Sequence, residues 1–66
     1  MRIGIVVAEW NQEITEALYR GAYDSLVKNG AMESDIIKEY VPGSFELPLG
    51  AQLLIENHKP DAIICL

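Results

Sequence analysis

Two short stretches hold the side chains suited to binding a small molecule: Trp10-Asn11, and Val41-Pro42-Gly43-Ser44-Phe45-Glu46-Leu47-Pro48. Each follows an apolar run and reads as a strand-to-helix junction. Trp10 offers a flat face on which a heterocycle can stack; the plainer alternative is a packing aromatic at a strand end. Ser44, Phe45 and Glu46 open a helix, where free backbone N–H groups can bond ligand hydroxyls or carbonyls. The Glu46 carboxylate can accept two hydroxyls at once. Its alternative role is that of an acidic residue placed favourably at the positive end of a helix dipole. Pro42 and Gly43 fix the turn in either case.

Other reactive side chains are worse placed. His58 closes the second helix. About 12 residues at ~1.5 Å each put it some ~18 Å from the helix start, so it is expected near the opposite sheet edge and not in catalysis. Cys65 is expected inside a buried strand, where a lone cysteine is inert. Tyr19, Tyr23 and Val27 form a stripe that reads either as an interface or as outer-face residues with wet hydroxyls. No glycine-rich phosphate fingerprint follows the first strand, and no Ser/Thr-rich flavin loop. Glu9 alone does not make the acidic cluster of a receiver domain. No Cys/His spacing suits a metal, so no metal is expected.

The elements that must position these residues are short. Ile3-Gly4-Ile5-Val6-Val7-Ala8 is a strand buried on both faces. Asn11 is expected to cap the helix that follows. Ile14, Ala17, Leu18, Gly21, Ala22, Ser25 and Leu26 form its expected sheet-facing stripe, with small residues allowing close approach. Glu16 with Arg20, and Asp24 with Lys28, are i,i+4 pairs on the wet side. Gly30 is the expected stop.

Ile36–Val41 is a second strand whose polar residues mark it as an edge. A helix beginning near Phe45 to Leu47 carries Pro48 in its first turn and is apolar around much of its girth. Asn57 to Pro60 end it, and Asp61–Leu66 starts a third, apolar strand. The β-α-β-α-β order predicts a parallel α/β sheet. Right-handed crossovers leave strand order 2-1-3 as the one that puts a helix on each face and the most apolar strand in the centre. Both junctions then share the carboxyl edge, where open α/β sheets bind ligands. The third strand would be an apolar open edge, so a fourth strand is expected beyond it.

The chain has 66 residues, enough for at most one small domain, with no internal boundary. A core this small rarely supplies more than about 3–5 kcal/mol without a staple. With one cysteine there is no internal disulfide. Other copies, a partner or further residues are therefore expected to support it. Five basic and ten acidic residues give a net charge of −5. That balance argues against nucleic acid and anionic membranes as partners. No apolar stretch approaches the ~20 residues of a membrane span. Met1-Arg2 lead straight into a strand, so no signal peptide is read and a cytoplasmic location is expected.

The two junctions at this spacing resemble the lumazine synthase family. The segment Ile3–Asn11, then Ile14-Thr15 and Gly21-Ala22, is similar to its N-terminal strand and helix. The string Val41–Pro48 is similar to its substrate loop, and Asp61–Leu66 to its third strand. The resemblance implies a three-layer, flavodoxin-like α/β/α domain, of which residues 1–66 are the N-terminal part. It implies riboflavin biosynthesis: condensation of 5-amino-6-(D-ribitylamino)uracil with 3,4-dihydroxy-2-butanone 4-phosphate to 6,7-dimethyl-8-ribityllumazine. Schiff-base formation, phosphate elimination and ring closure make the product without a cofactor. It also implies a homo-oligomer, a pentamer or a larger shell. Trp10 matches the stacking position, usually Phe in the family. Ser44, Phe45 and Glu46 match the segment that holds the ribityl chain and ring edge. The family's phosphate-binding residues and acid/base histidine follow the third strand, so no catalytic residue is assigned here. The 66 residues alone are expected to be inactive. The alternatives are a non-catalytic flavin- or pyrimidine-binding or shell-forming module of the same fold, and an unrelated flavodoxin-like domain.

Overall fold

The central strand β1, Ile3–Ala8, is buried along all six residues. It earns that position by being apolar throughout and paired on both sides. In the computed structural model, which describes residues 2–66, it lies between β2, Ile36–Val41, and β3, Ala62–Cys65. Both pairings are parallel, and the order is β2-β1-β3, as the sequence predicts. Ile3 sits opposite Ile36 on one side and Ala62 on the other.

Strand side chains alternate between faces. Ile3, Ile5 and Val7 point to one face, with Ile36, Ile64 and Leu66. Tyr19 and Leu26 of helix α1, Gln12–Lys28, close that layer. Val6, Ala8 and Val41 point to the other face, with Ile37 and Ile63. Leu47, Ala51 and Leu54 of helix α2, Leu47–His58, close that one. One helix thus covers each face, giving an open three-layer α/β sheet of the flavodoxin-like kind.

The helices dock differently. α2 sits close because Gly50 carries no side chain: a Cβ there would lie 2.6 Å from Val41 Cγ1 and 2.8 Å from Val6 Cγ1. Leu54 is fully buried next to Gly4. Leu49, Leu53 and Ile55 stay exposed around the rest of α2, in keeping with its apolar girth.

α1 departs from expectation. Its one buried residue is Thr15, with Tyr19, Ala22 and Leu26 partly buried below it. Ile14, Ala17, Leu18, Gly21 and Ser25 are exposed. The helix is rotated from the expected stripe toward β2, where Glu16 accepts from Tyr40 and Lys38 and the Tyr19 ring lies beside the Lys38 ammonium. Ile14 and Leu18 lie outside the docked face and are exposed. The stripe of Tyr19, Tyr23 and Val27 splits: both tyrosines are half-buried, and Val27 is exposed.

The helix ends follow their residue types. At the end of α1 the Gly30 amide donates to Val27 O and the Ala31 amide to Leu26 O. This is the Schellman arrangement, with Gly30 at φ 103°. β3 is shorter than Asp61–Leu66, but pairing continues past both ends. The Asp61 amide donates to Arg2 O at 2.7 Å, and the Leu66 amide to Val6 O at 2.8 Å. β2 and β3 are each paired on one side in this sheet.

Candidate functional site

Because the strands are parallel, β1 and β2 deliver their junctions to the same edge in register. Ala8 lies opposite Val41, and the Glu9 amide donates to Val41 O at 2.7 Å. Past Glu9 the chain turns sharply at Asn11, which is left-handed at φ 57° and ψ 51°. Asparagine tolerates that region better than most residues. It does not cap α1 with its side chain, contrary to expectation. A side-chain cap needs an extended backbone, and the left-handed turn points the amide elsewhere. Its carbonyl instead accepts from the Ile14 and Thr15 amides at 2.9 and 3.0 Å. The turn lifts Trp10 clear of the sheet edge, 71% exposed.

On the neighbouring junction, Gly43 is fully extended and Ser44–Glu46 forms one 3-10 turn. The Glu46 amide closes that turn on Gly43 O at 3.1 Å. The amides of Ser44 and Phe45 precede this first bond and lie at the open end. α2 continues directly from Leu47, with Pro48 in its first turn, where proline costs no helical hydrogen bond.

Trp10, Pro42, Gly43, Ser44, Phe45 and Glu46 line one open depression of about 320 Å³. The four residues singled out from the sequence therefore meet. The Glu46 carboxylate folds back over Gly43, and a Cβ at that glycine would lie 3.7 Å from Oε2. Phe45 is 96% exposed, so its ring stands free of the core. The depression offers an aromatic face, two helix-start amides and one carboxylate. Glu46 is the one ionisable side chain in its lining, so these residues are equipped to hold a polar, flat ligand rather than to pass protons along a pair. Of three larger hollows, one of about 370 Å³ lies at the end of α1 by Leu26, Gly30 and Met32, and two, about 460 and 420 Å³, run along the outer face of α1 by Glu13, Glu16, Arg20 and Asp24. These two follow a convex helix surface and do not gather polar groups around an apolar wall.

His58 is half-buried in the last turn of α2, at the far end from Glu46, as its spacing predicts. Cys65 is exposed, not buried. It lies near the end of a strand paired on one side, where no neighbouring strand covers it. Among the described residues, no group of three or more His, Cys, Asp or Glu is placed to hold a metal ion. Among them, too, no helix is long and apolar enough to cross a membrane.

Sequence reasoning missed a cluster between α1 and β2. Glu16 turns to β2 rather than along its own helix to Arg20. It accepts from Tyr40 OH at 2.6 Å and from Lys38 Nζ at 3.2 and 3.3 Å. The Lys38 ammonium also lies 3.9 Å from the Tyr19 ring centroid and 4.4 Å from that of Tyr40. The Tyr40 hydrogen bond, then that of Lys38, holds the Glu16 carboxyl below its ordinary value, with Arg20 adding a weaker attraction. Burial pulls the Lys38 ammonium down, but the hydrogen bonds to Tyr40 and Glu16 outweigh it and leave the group raised. The available signal was the period of two along β2, which sets Ile36, Lys38 and Tyr40 on the α1 face.

Fold and site together define an open, parallel α/β domain with a crevice at the carboxyl edge of its sheet, the edge where such sheets bind ligands. The chain belongs to the 6,7-dimethyl-8-ribityllumazine synthase family, which it matches along residues 1–66. A protein of Cytophaga hutchinsonii with that name is 59% identical over 63 residues, covering 96% of this chain and 40% of the relative. The Parabacteroides distasonis protein of the same name is 53% identical over 66 residues, 100% of this chain and 41% of the relative. That of Flavobacterium psychrophilum is 51% identical over 65 residues, 98% and 34%. The chain thus spans about two fifths or less of the length of these relatives.

Proposed function

We propose that the intact protein containing this chain makes 6,7-dimethyl-8-ribityllumazine from 5-amino-6-(D-ribitylamino)uracil and 3,4-dihydroxy-2-butanone 4-phosphate, in the riboflavin pathway and in the cytoplasm. Family membership supports the reaction. The observation that carries the site is the grouping of Trp10, Ser44, Phe45 and Glu46 around one depression. In this reading Trp10 stacks on the pyrimidinedione, which is flat and polarisable. The Ser44 and Phe45 amides and the Glu46 carboxylate take the ring edge and the ribityl hydroxyls. The groups that bind phosphate and move protons come from outside these 66 residues.

The same reading includes further structure around the chain. The exposed Ile14 and Leu18 on α1, the one-sided pairing of β3, and the exposed Leu49 and Leu53 on α2 support a fourth strand and a homo-oligomer. A domain of this size gains most of its missing burial that way.

The test is titration of the intact protein with the ribitylaminouracil while following Trp10 fluorescence, then addition of the hydroxybutanone phosphate while lumazine absorbance is recorded. Quenching that disappears in Trp10→Phe, followed by turnover, is the expected result. Trp10→Ala should weaken the uracil, since no flat partner remains. Unchanged binding in Trp10→Ala would return Trp10 to a packing role. Binding without turnover would favour the non-catalytic pyrimidine-binding module.

A further inference from the structure

The Glu16 cluster joins the two elements that adjoin the depression, α1 after Trp10 and β2 before Pro42. Glu16 lies in the second turn of α1, the helix whose entry turn carries Trp10. Tyr40 lies two residues before Pro42, where the second wall begins. The β1–β2 pairing fixes the strands, but it does not fix α1 on the sheet. α1 itself is lightly docked, with Thr15 its one buried residue and Ile14 and Leu18 exposed. Its polar ties from side chain to sheet run from one carboxylate to Tyr40 and Lys38. Lys38 in turn lies against the rings of Tyr19 on the helix and Tyr40 on the strand.

We infer that Glu16, Lys38 and Tyr40 are positioning residues, a tether that sets the distance of Trp10 from the Ser44–Glu46 wall and so tunes affinity for the flat ligand. None of the three lines the depression, so they act through α1 and β2 and not by contact. The inference rests on the proposed ligand site, but the mobility of Trp10 reads it without any ligand. Exposed ion pairs are weak, so the expected effect is modest: about a two- to fivefold loss of affinity when the tether is cut.

The experiment uses the intact protein with Glu16→Gln, Tyr40→Phe, the double variant, Lys38→Met and Lys38→Arg. Fluorescence anisotropy of Trp10 is measured without ligand, with a Trp10→Phe background subtracted. Affinity for 5-amino-6-(D-ribitylamino)uracil is then measured by calorimetry. The inference expects lower anisotropy and a two- to fivefold weaker Kd in Glu16→Gln, Tyr40→Phe and Lys38→Met. The double variant should be little worse than either single one, because both remove the same tie. Lys38→Arg should restore both readouts, since it keeps the cation between the rings. KM should rise with kcat unchanged, the mark of lost uniform binding. Unchanged anisotropy in all variants, or a drop in melting temperature with anisotropy and Kd untouched, would overturn the tether. If wild type does not bind the uracil, the ligand reading fails, and anisotropy alone still decides whether the cluster holds Trp10.

Discussion

Gly50 is where the fold and the candidate site are most tightly joined. A methyl group there would meet Val41 Cγ1 at 2.6 Å and Val6 Cγ1 at 2.8 Å. Relaxed carbon contacts lie at about 3.5–4.0 Å, so Gly50→Ala must move α2 or the two valines by about 1 Å. Both valines are buried in β-strands, Val6 in the central one, which leaves the helix as the part that gives. Overpacking of this kind costs about 1–3 kcal/mol, against which the better helix propensity of alanine returns somewhat under about 1 kcal/mol. The net loss is then about 0–2 kcal/mol, and at roughly 2–4 °C per kcal/mol for a 150–250-residue protein melting should fall by up to about 8 °C. The displacement has a second consequence. The Ser44–Glu46 turn runs straight into α2, so a shifted helix carries that wall away from Trp10. A misplacement near 1 Å can cost up to about 10²-fold in rate. Thermal melts, uracil calorimetry and turnover of the intact protein measure all three effects. Val41→Ala removes the nearer clash, so Gly50→Ala/Val41→Ala should be better than the sum of its parts by at least about 0.5 kcal/mol. If Gly50→Ala melts with wild type and binds normally, or if the double variant is merely additive, the close-packing argument is wrong.

Glu46→Gln keeps the side-chain shape but loses charge-assisted bonds of about 1.5–3 kcal/mol each, so affinity for the ribitylaminouracil should fall at least about tenfold with melting unchanged. Equal affinity by calorimetry would assign Glu46 to the helix dipole alone. Glu16 gives a pH signature. Its folded value lies below its ordinary 4.5, so its contribution to stability is present above that value and lost as pH falls through the lower folded value. The stability difference between wild type and Glu16→Gln should therefore be flat from pH 6 to 8 and shrink below about 4.5; a difference that persists undiminished to pH 2 would contradict the assignment. Finally, residues 1–66 expressed alone should aggregate or remain partly unfolded, because the apolar edge of β3 and the flank of α1 have no cover. A sharp cooperative melt of a dilute monomer would refute that.

What the sequence made legible was what a local period or a turn residue encodes. Ile3–Ala8 could only be central, since a strand apolar at every position needs cover on both faces. The polar Lys38, Glu39 and Tyr40 could only suit an edge. Those two facts gave the order β2-β1-β3, and the order brought Trp10 to Ser44–Glu46. The misreadings all concern rotation and contact across elements. Ala22 and Leu26 face the sheet as expected, but Ile14 and Leu18 do not: α1 has two apolar flanks, and periodicity cannot say which one faces the sheet. The flank that docks brings Glu16 to Lys38 and Tyr40, which lie 22 and 24 residues away. The local rule instead offered Arg20, four residues on. Asn11 failed as a cap for a related reason: composition marks a helix start, while the left-handed turn that displays Trp10 is set by how β1 must leave the sheet. Cys65 was read as buried because its strand is apolar, yet burial belongs to the neighbours of a strand and not to its residues. Each miss therefore points the same way. The residues that form the depression are written in the local sequence, whereas those that hold its two walls apart are written in pairs separated along the chain. The tether at Glu16 touches no ligand, and no local motif encodes it.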